Sequence, residues 1–356
     1  MNKRKKFAFL IHPRVNCRTD FAPYFAPLGL VPSRGYELLF KTIGVKPLNF
    51  GTVRAMDRPH EEMGWLTLVP YSGRQMLELP ISKVQKKIAQ ACDAAQEWGA
   101  EIIGLGAFTA PMTRGGKRLT DRSAGITNGN AFTAAKTWEA LRQLLHDIPA
   151  GGTVALVGAT GSVGSCLAKL LVKHRPDSNV LLVARRIRPL EQLKEELSDI
   201  SPNTAITVTN SMEYLKTSDA ICLMTSATEN LLKPDYLKHG AVILDDTQPR
   251  NTDPSLLEQR PDIRIYDGGI VALPGFSFPA TIGLPIGLGY ACLAETMLLA
   301  LDGHDGHFCI GNPTIEQVEH LQNLAHTHRR FGFHLAELRS FGIPYTQLAP
   351  QKEAIA

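Results

Sequence analysis

Val154-Ala155-Leu156-Val157-Gly158-Ala159-Thr160-Gly161-Ser162-Val163-Gly164-Ser165 sets a Gly-x-x-Gly-x-x-Gly loop between a short apolar run and the helical stretch Cys166 to His174. Strand, glycine loop and helix in that order are what binding of a dinucleotide requires. Gly158 permits a tight turn, Gly161 lets the backbone approach a pyrophosphate, and Gly164 allows close helix packing, with phosphate charge at the helix N-terminus. Thr160, Ser162 and Val163 complete the candidate cofactor loop. The bland alternative is a plain glycine-rich turn between a strand and a helix. The stretch predicts the start of a Rossmann domain.

Downstream, Val180 to Ala184, Ala205 to Val208, Ala220 to Met224, Val242 to Leu244 and Arg264 to Tyr266 read as strands separated by helices or turns, the rhythm of a mostly parallel, doubly wound sheet. The second strand runs into Arg185-Arg186-Ile187-Arg188, where a carboxylate would hold an unmodified ribose 2′-hydroxyl. Arg185 and Arg186 suit a 2′-phosphate, so the expected cofactor is NADPH. Thr225-Ser226-Ala227 and Gly268-Gly269 fall at C-terminal strand ends, where such sheets bind ligands; ordinary turns are the competing reading.

Upstream, Ile81, Val84, Ile88, Ala91 and Ala95 recur at helical spacing, followed by a buried strand, Glu101 to Phe108. A polar, glycine-rich loop then leads through Thr127-Asn128-Gly129-Asn130 into a helix from Ala131 to Leu145. Pro149-Ala150-Gly151-Gly152 reads as a hinge. The expected organisation is an α/β substrate domain over 1–148 and a Rossmann domain over 149–280. C-terminal helices over 281–356 (Gly287 to Asp302, Thr314 to Ser340) are expected to return to the first domain and close a cleft.

Composition agrees with two globular domains: 356 residues, 44% hydrophobic and 20% charged. Thirty-eight Lys and Arg against 34 Asp and Glu give +4, too dispersed for a nucleic-acid footprint. Lys3-Arg4-Lys5-Lys6 before a short apolar run reads as a solvated terminus rather than a signal peptide. The six cysteines contain no Cys-x-x-Cys pair, which points away from a zinc ribbon or a disulfide framework and toward a reducing cytoplasm. The histidines lack metal-ligand spacing, so no metal is expected. Pro285 and Glu295 interrupt the apolar run from Gly283 to Leu301, so no membrane span is expected.

Cys292, in Gly289-Tyr290-Ala291-Cys292-Leu293-Ala294-Glu295, falls near the expected start of an apolar helix, whose dipole would favour a thiolate. A small core residue is the competing reading, and a nearby Glu295 would oppose ionisation. The ordered set Gly104-Leu105-Gly106-Ala107-Phe108-Thr109, Thr127 to Asn130, Gly158 to Gly164, Gly268-Gly269-Ile270-Val271 and Ala291 to Glu295 resembles the long-chain acyl-[acyl-carrier-protein] reductases of cyanobacterial alkane synthesis, from about Ile81 to Phe333. The resemblance implies NADPH-dependent reduction of a fatty acyl thioester to an aldehyde, with Cys292 at the position of the family's catalytic cysteine.

On this reading Asn130, or backbone N–H groups around it, would stabilise the carbonyl oxygen, unless Asn130 only caps its helix. Gly106, Ala107, Phe108, Thr109, Thr127 and Gly129 are the candidate acyl-binding residues. The thioester would arrive on an acyl carrier protein, docked on basic residues such as Arg329, Arg330 or Lys3 to Lys6, or on coenzyme A, and an aldehyde-consuming enzyme would follow. The first eighty residues, including His12-Pro13-Arg14 and Tyr24 to Pro32, depart from the family, and Ala107 stands where members tend to have a second glycine. The alternatives are a shikimate-type dehydrogenase, which needs a Lys and Asp pair such as Lys136 and Asp147 or Lys117 and Asp121, and a non-enzymatic NADP-sensing regulator.

Overall fold

A computed structural model describes residues 3–14, 17–21, 26–42, 44–227, 229–278 and 282–347. Part of the Tyr24 to Pro32 stretch and the tail from 348 lie outside these residues. The protein is α/β and divides into two compact units. One comprises residues 1–132, 272–311 and 320–334, the other 133–271, 312–319 and 335–356.

The first unit opens with β1 (Phe7–Ile11), α1 (Arg18–Phe21), α2 (Ser33–Thr42), β2 (Leu48–Ala55), β3 (Gly64–Leu68), α3 (Gly73–Glu78), α4 (Ile81–Glu97), β4 (Ile102–Leu105), α5 (Thr109–Met112) and β5 (Gly125–Thr127). The chain continues through α6 (Asn130–Leu144), β6 (Thr153–Val157), α7 (Ser162–His174), β7 (Asn179–Val183), α8 (Ile187–Ile200), β8 (Ile206–Thr209), β9 (Ala220–Leu223), β10 (Val242–Asp245), α9 (Ser255–Gln259), β11 (Arg264–Asp267) and β12 (Ile270–Ala272). It then forms β13 (Phe276–Ser277), β14 (Leu288–Tyr290), α10 (Ala291–Asp302) and α11 (Ile315–Thr327).

The first unit's six-stranded sheet has the order β13-β2-β3-β1-β4-β5. β1, β3, β4 and β5 are parallel, while β2 and β13 add an antiparallel edge. Phe7-Ala8-Phe9-Leu10 is wholly buried because β1 is central and has neighbours on both faces. Val84, Ile88, Ala91 and Ala95 of α4 pack into the core beside Ala8 and Leu10, whereas Ile81, the first of that helical series, is exposed at the helix start. On the other face, Gly104 lets α10 approach: a Cβ there would lie 2.7 Å from Phe9 and closer still to the Thr296 hydroxyl.

α10 explains the apolar run before Leu301. All its residues except Cys292 and Asp302 are buried, so it is apolar because it is a core helix. Among the described residues, no helix is long and apolar enough to cross a membrane. The expected helix from Gly287 begins only at Ala291, because Gly287 takes φ +82° and residues 288–290 are extended. The expected run from Thr314 to Ser340 stops at Thr327, since Gly332 at φ +110° and Phe333 at φ +66° cannot continue a right-handed helix.

The second unit's sheet is six-stranded and parallel throughout, in the order β11-β10-β9-β6-β7-β8. This is the doubly wound order of a Rossmann domain, with β6 and β9 flanking its switch point. Its core includes Ala155, Val157, Leu181, Leu223, Ile243 and Ile265 from five adjacent strands.

Candidate active site

In the second unit, Gly158, the first residue after β6, takes φ +85°. A Cβ at Gly158 would lie 2.5 Å from the Met224 carbonyl oxygen, and one at Gly164 would lie 2.4 Å from the Gly158 oxygen. The loop therefore closes only as glycine. α7 starts at Ser162, with Gly161 as its N-cap and no side-chain cap bond. Thr160 and Val163 lie in the same turn. A glycine cradle below a helix N-terminus without a side-chain cap fits a pyrophosphate.

Arg185 and Arg186 follow β7, both exposed and without an ion pair among the described residues. Thr225 follows β9, where its hydroxyl bonds the Asn251 side chain and receives the Ala227 N–H; Ser226 beside it is exposed. Gly268 and Gly269 follow β11 and pack against Asp246, which would lie 2.8 and 2.4 Å from their added Cβ atoms. The sequence pattern did not single out Asp246. Desolvation pushes its carboxyl up to about 7, against the hydrogen bond that Thr137 donates. All these predicted cofactor residues therefore lie at the C-terminal edge of one sheet.

In the first unit, the C-terminal ends of β1, β4 and β5 carry the other predicted residues. His12, just past β1, stacks on Phe108 with ring centroids 5.4 Å apart. Its Nδ1 lies 2.9 Å from the Pro13 carbonyl oxygen and its Nε2 accepts the Phe108 N–H, a pattern that fits neutral imidazole. Burial holds its pKa below the usual histidine range. Gly106 and Thr109 are joined by a 2.6 Å bond from the Thr109 hydroxyl to the Gly106 carbonyl, and Ala107 between them takes φ +46°. Phe108 and Thr109 are buried and Ala107 is exposed.

Thr127-Asn128-Gly129-Asn130 joins β5 to α6. The buried Asn128 side chain donates to the Gly115 and Gly311 carbonyls and accepts the Asn130 N–H at 3.0 Å. Gly129, at φ +79°, lies directly on Cys292. Cys292 is the second residue of α10, whose N-cap Tyr290 makes no side-chain cap bond. It is half-buried, whereas the other five cysteines are buried. Burial pushes the Cys17, Cys92 and Cys166 thiols up to about 12 and Cys222 well above the usual thiol range.

Glu295, one turn along from Cys292, is fully buried. Its carboxylate accepts the Thr127 hydroxyl, the Gly129 N–H at 3.2 Å and the Phe132 N–H at 2.8 Å. It therefore caps α6 from another helix. Burial dominates these donors and pushes the carboxyl up to about 7. The sequence marks Glu295 as a neighbour of the cysteine and a break in the apolar run, with no sign that it caps α6.

The expected docking residues lie elsewhere. Arg4 and Arg330 share Asp57, and the Lys5 N–H donates to the Ala300 carbonyl near the end of α10. Eight helical residues, about 12 Å, separate Ala300 from Cys292.

The Shikimate / quinate 5-dehydrogenase family matches residues 141–267. Aminotransferase PigE from Serratia sp. is 26% identical over 95% of this chain, and the match spans 40% of that protein's length. The long-chain acyl-[acyl-carrier-protein] reductase of Synechococcus elongatus is 28% identical over 70% of this chain and 75% of its own. The structure of quinate dehydrogenase from Corynebacterium glutamicum in complex with NAD overlays 73% of this chain and 88% of its own, at 12% identity and a TM-score of 0.38. What the sheet order and the sequence matches support in common is an oxidoreductase of the NAD(P)-binding Rossmann type.

Proposed function

We propose that the chain uses NADPH to reduce a fatty acyl thioester to an aldehyde through an acyl group carried on Cys292. The observation that carries this reading is Cys292 itself: a half-buried cysteine in the first turn of α10, packed on Gly129, among cysteines that are otherwise buried. The Synechococcus relative's name supports the same chemistry.

The Cys292 thiolate attacks the thioester carbonyl carbon, the bond to the carrier sulfur breaks, and the carrier thiol departs with a proton. The first turn of α10 favours the anionic sulfur. Glu295 and Asn128 engage the N–H groups of Gly129, Asn130 and Phe132, and the Asn130 amide at the start of α6 is our candidate donor to the developing oxyanion. NADPH, when bound, supplies the hydride that reduces the acyl group. The Cys292 sulfur then leaves as thiolate and the aldehyde is released. The Gly158 to Gly164 cradle would hold the cofactor's pyrophosphate, and Arg185 and Arg186 its 2′-phosphate.

Phe108 and Thr109 follow β4 and Thr127 ends β5, at the end of the sheet where Gly129 meets Cys292, and they would border the acyl chain. An aldehyde suits a following amino-group transfer, and the Serratia relative, called an aminotransferase, contains a segment like this chain within a longer protein.

The shikimate-type reading draws on the family match, which covers the nucleotide-binding half. Among the described residues its candidate Lys and Asp residues form no ion pair with one another: Lys136 pairs with Glu139, Asp121 with Arg122 and Asp147 with His146. Intact-protein mass spectrometry of wild type and Cys292→Ala with acyl thioesters, before and after NADPH, tests the proposal. The expected result is an adduct on wild type alone that NADPH discharges as aldehyde. An unmodified wild-type protein with every thioester would favour the dehydrogenase or sensor reading.

A further inference from the structure

Arg14, in the turn His12-Pro13-Arg14 after β1, has no role in the reaction above. The backbone N–H and the Nε of Arg14 both donate to Asp20, at 2.6 Å each, which fixes the direction of the guanidinium. The side chain is nevertheless 60% exposed, and its two Nη groups have no hydrogen-bond partner among the described residues. They reach toward the start of α10. The Cβ position of Gly283 is 3.6 Å from Arg14 Nη1 and 3.9 Å from the hydroxyl of Tyr290, two residues before Cys292. Arg14 thus presents an outward donor edge on Cys292's side of the sheet, whereas Arg4 and Arg330 stand at the far end of α10 and share Asp57.

A guanidinium held at Nε by a carboxylate and open at both Nη groups suits a tetrahedral oxyanion, which accepts two parallel N–H bonds. In a phosphopantetheine thioester the phosphate lies at the opposite end of the arm from the sulfur. It must therefore be met outside the half-buried thiol site, by an exposed cation. We infer that Arg14 binds the phosphate of a phosphopantetheine thioester while Cys292 takes its acyl group. The inference rests on the thioester reading and deepens it by naming the group through which the substrate is recognised. Carrier-bound and coenzyme A thioesters share that phosphate.

The test is the second-order rate of Cys292 acylation, followed by intact mass, with acyl-pantetheine, acyl-phosphopantetheine, acyl-coenzyme A and an acyl carrier protein. Wild type is expected to prefer acyl-phosphopantetheine over acyl-pantetheine about 10- to 100-fold, the effect of one or two charge-assisted hydrogen bonds. Arg14→Ala should bring that ratio close to one, and Arg14→Lys should leave it in between. A similar Arg14→Ala loss with coenzyme A and carrier thioesters assigns Arg14 to the shared phosphate. A loss with only one of them overturns that assignment. An unchanged preference in Arg14→Ala, or a wild type indifferent to the phosphate, overturns the inference alone. If no thioester acylates wild type, the thioester reading falls and the inference falls with it.

Discussion

Gly129 and Cys292 are packed so closely that a Cβ on the glycine would lie 2.3 Å from the cysteine's Cβ and 2.6 Å from its Cα. Gly129 also sits at φ +79°, so two independent constraints, space and backbone, demand glycine beside the sulfur.

Gly129→Ala is therefore expected to cost about 2 to 4 kcal/mol of stability, combining left-handed strain with overpacking. Its acylation rate at Cys292 should fall about 100-fold, because the sulfur must move. Thermal unfolding and adduct formation measured on one preparation would separate the two effects. Wild-type rates in a destabilised Gly129→Ala protein would mean that the contact does not place the nucleophile.

Glu295 gives the fold a pH dependence whose sign can be worked out. Burial raises its carboxyl from the ordinary 4.5 to about 7, so the folded protein holds a proton that the unfolded chain has released. The stability from this group is complete below about pH 4.5 and lost as the pH rises through about 7, a loss of up to about 3 kcal/mol. Asp246 contributes in the same window, so the comparison is between variants. Melting temperatures from pH 5 to 8 should fall less steeply for Glu295→Gln than for wild type, and parallel curves would refute the assignment.

Arg185 and Arg186 set the expected cofactor preference. Replacing both with alanine should raise the KM for NADPH about 10- to 100-fold and leave that for NADH nearly unchanged. Equal losses with both cofactors would place the two arginines outside the 2′-phosphate site.

Ala107, at φ +46°, is strained where glycine would not be. Ala107→Gly should be neutral or stabilising by up to about 1 kcal/mol, since relief of the strain is partly offset by the freedom glycine gains in the unfolded chain. Ala107→Val should destabilise by about 2 kcal/mol or more, because a β-branched side chain tolerates that backbone worst. Chemical denaturation of the two variants checks both signs.

The nucleotide-binding sheet was legible because its signals are local: glycines three apart, then apolar runs at strand length, each placing its loop at one edge. The first unit was less so. β3, Gly64 to Leu68, is buried at every position and shows no alternation to mark it, and β2 begins with an exposed Leu48. Thr127 and Glu295 were each quoted from the sequence, yet their contact joins positions 168 residues apart, and no spacing rule predicts that. Asp246 was missed for a related reason: the glycines packed on it follow a different strand. Ala107 shows the reverse case, where a residue set apart in the sequence proved to occupy a backbone conformation that favours glycine.

The discontinuity of the first unit bears on how the protein is made. β1, at residues 7–11, is a central strand, and the helix that covers Phe9 and Gly104 lies at 291–302. A chain emerging from the ribosome completes the parallel sheet of residues 153–267 before that covering helix has been synthesised. Until then, the apolar face of the N-terminal sheet has nothing to pack against and needs protection from aggregation. The parallel sheet of the second unit is complete early, and the first unit closes only when α10, the helix that carries Cys292, arrives.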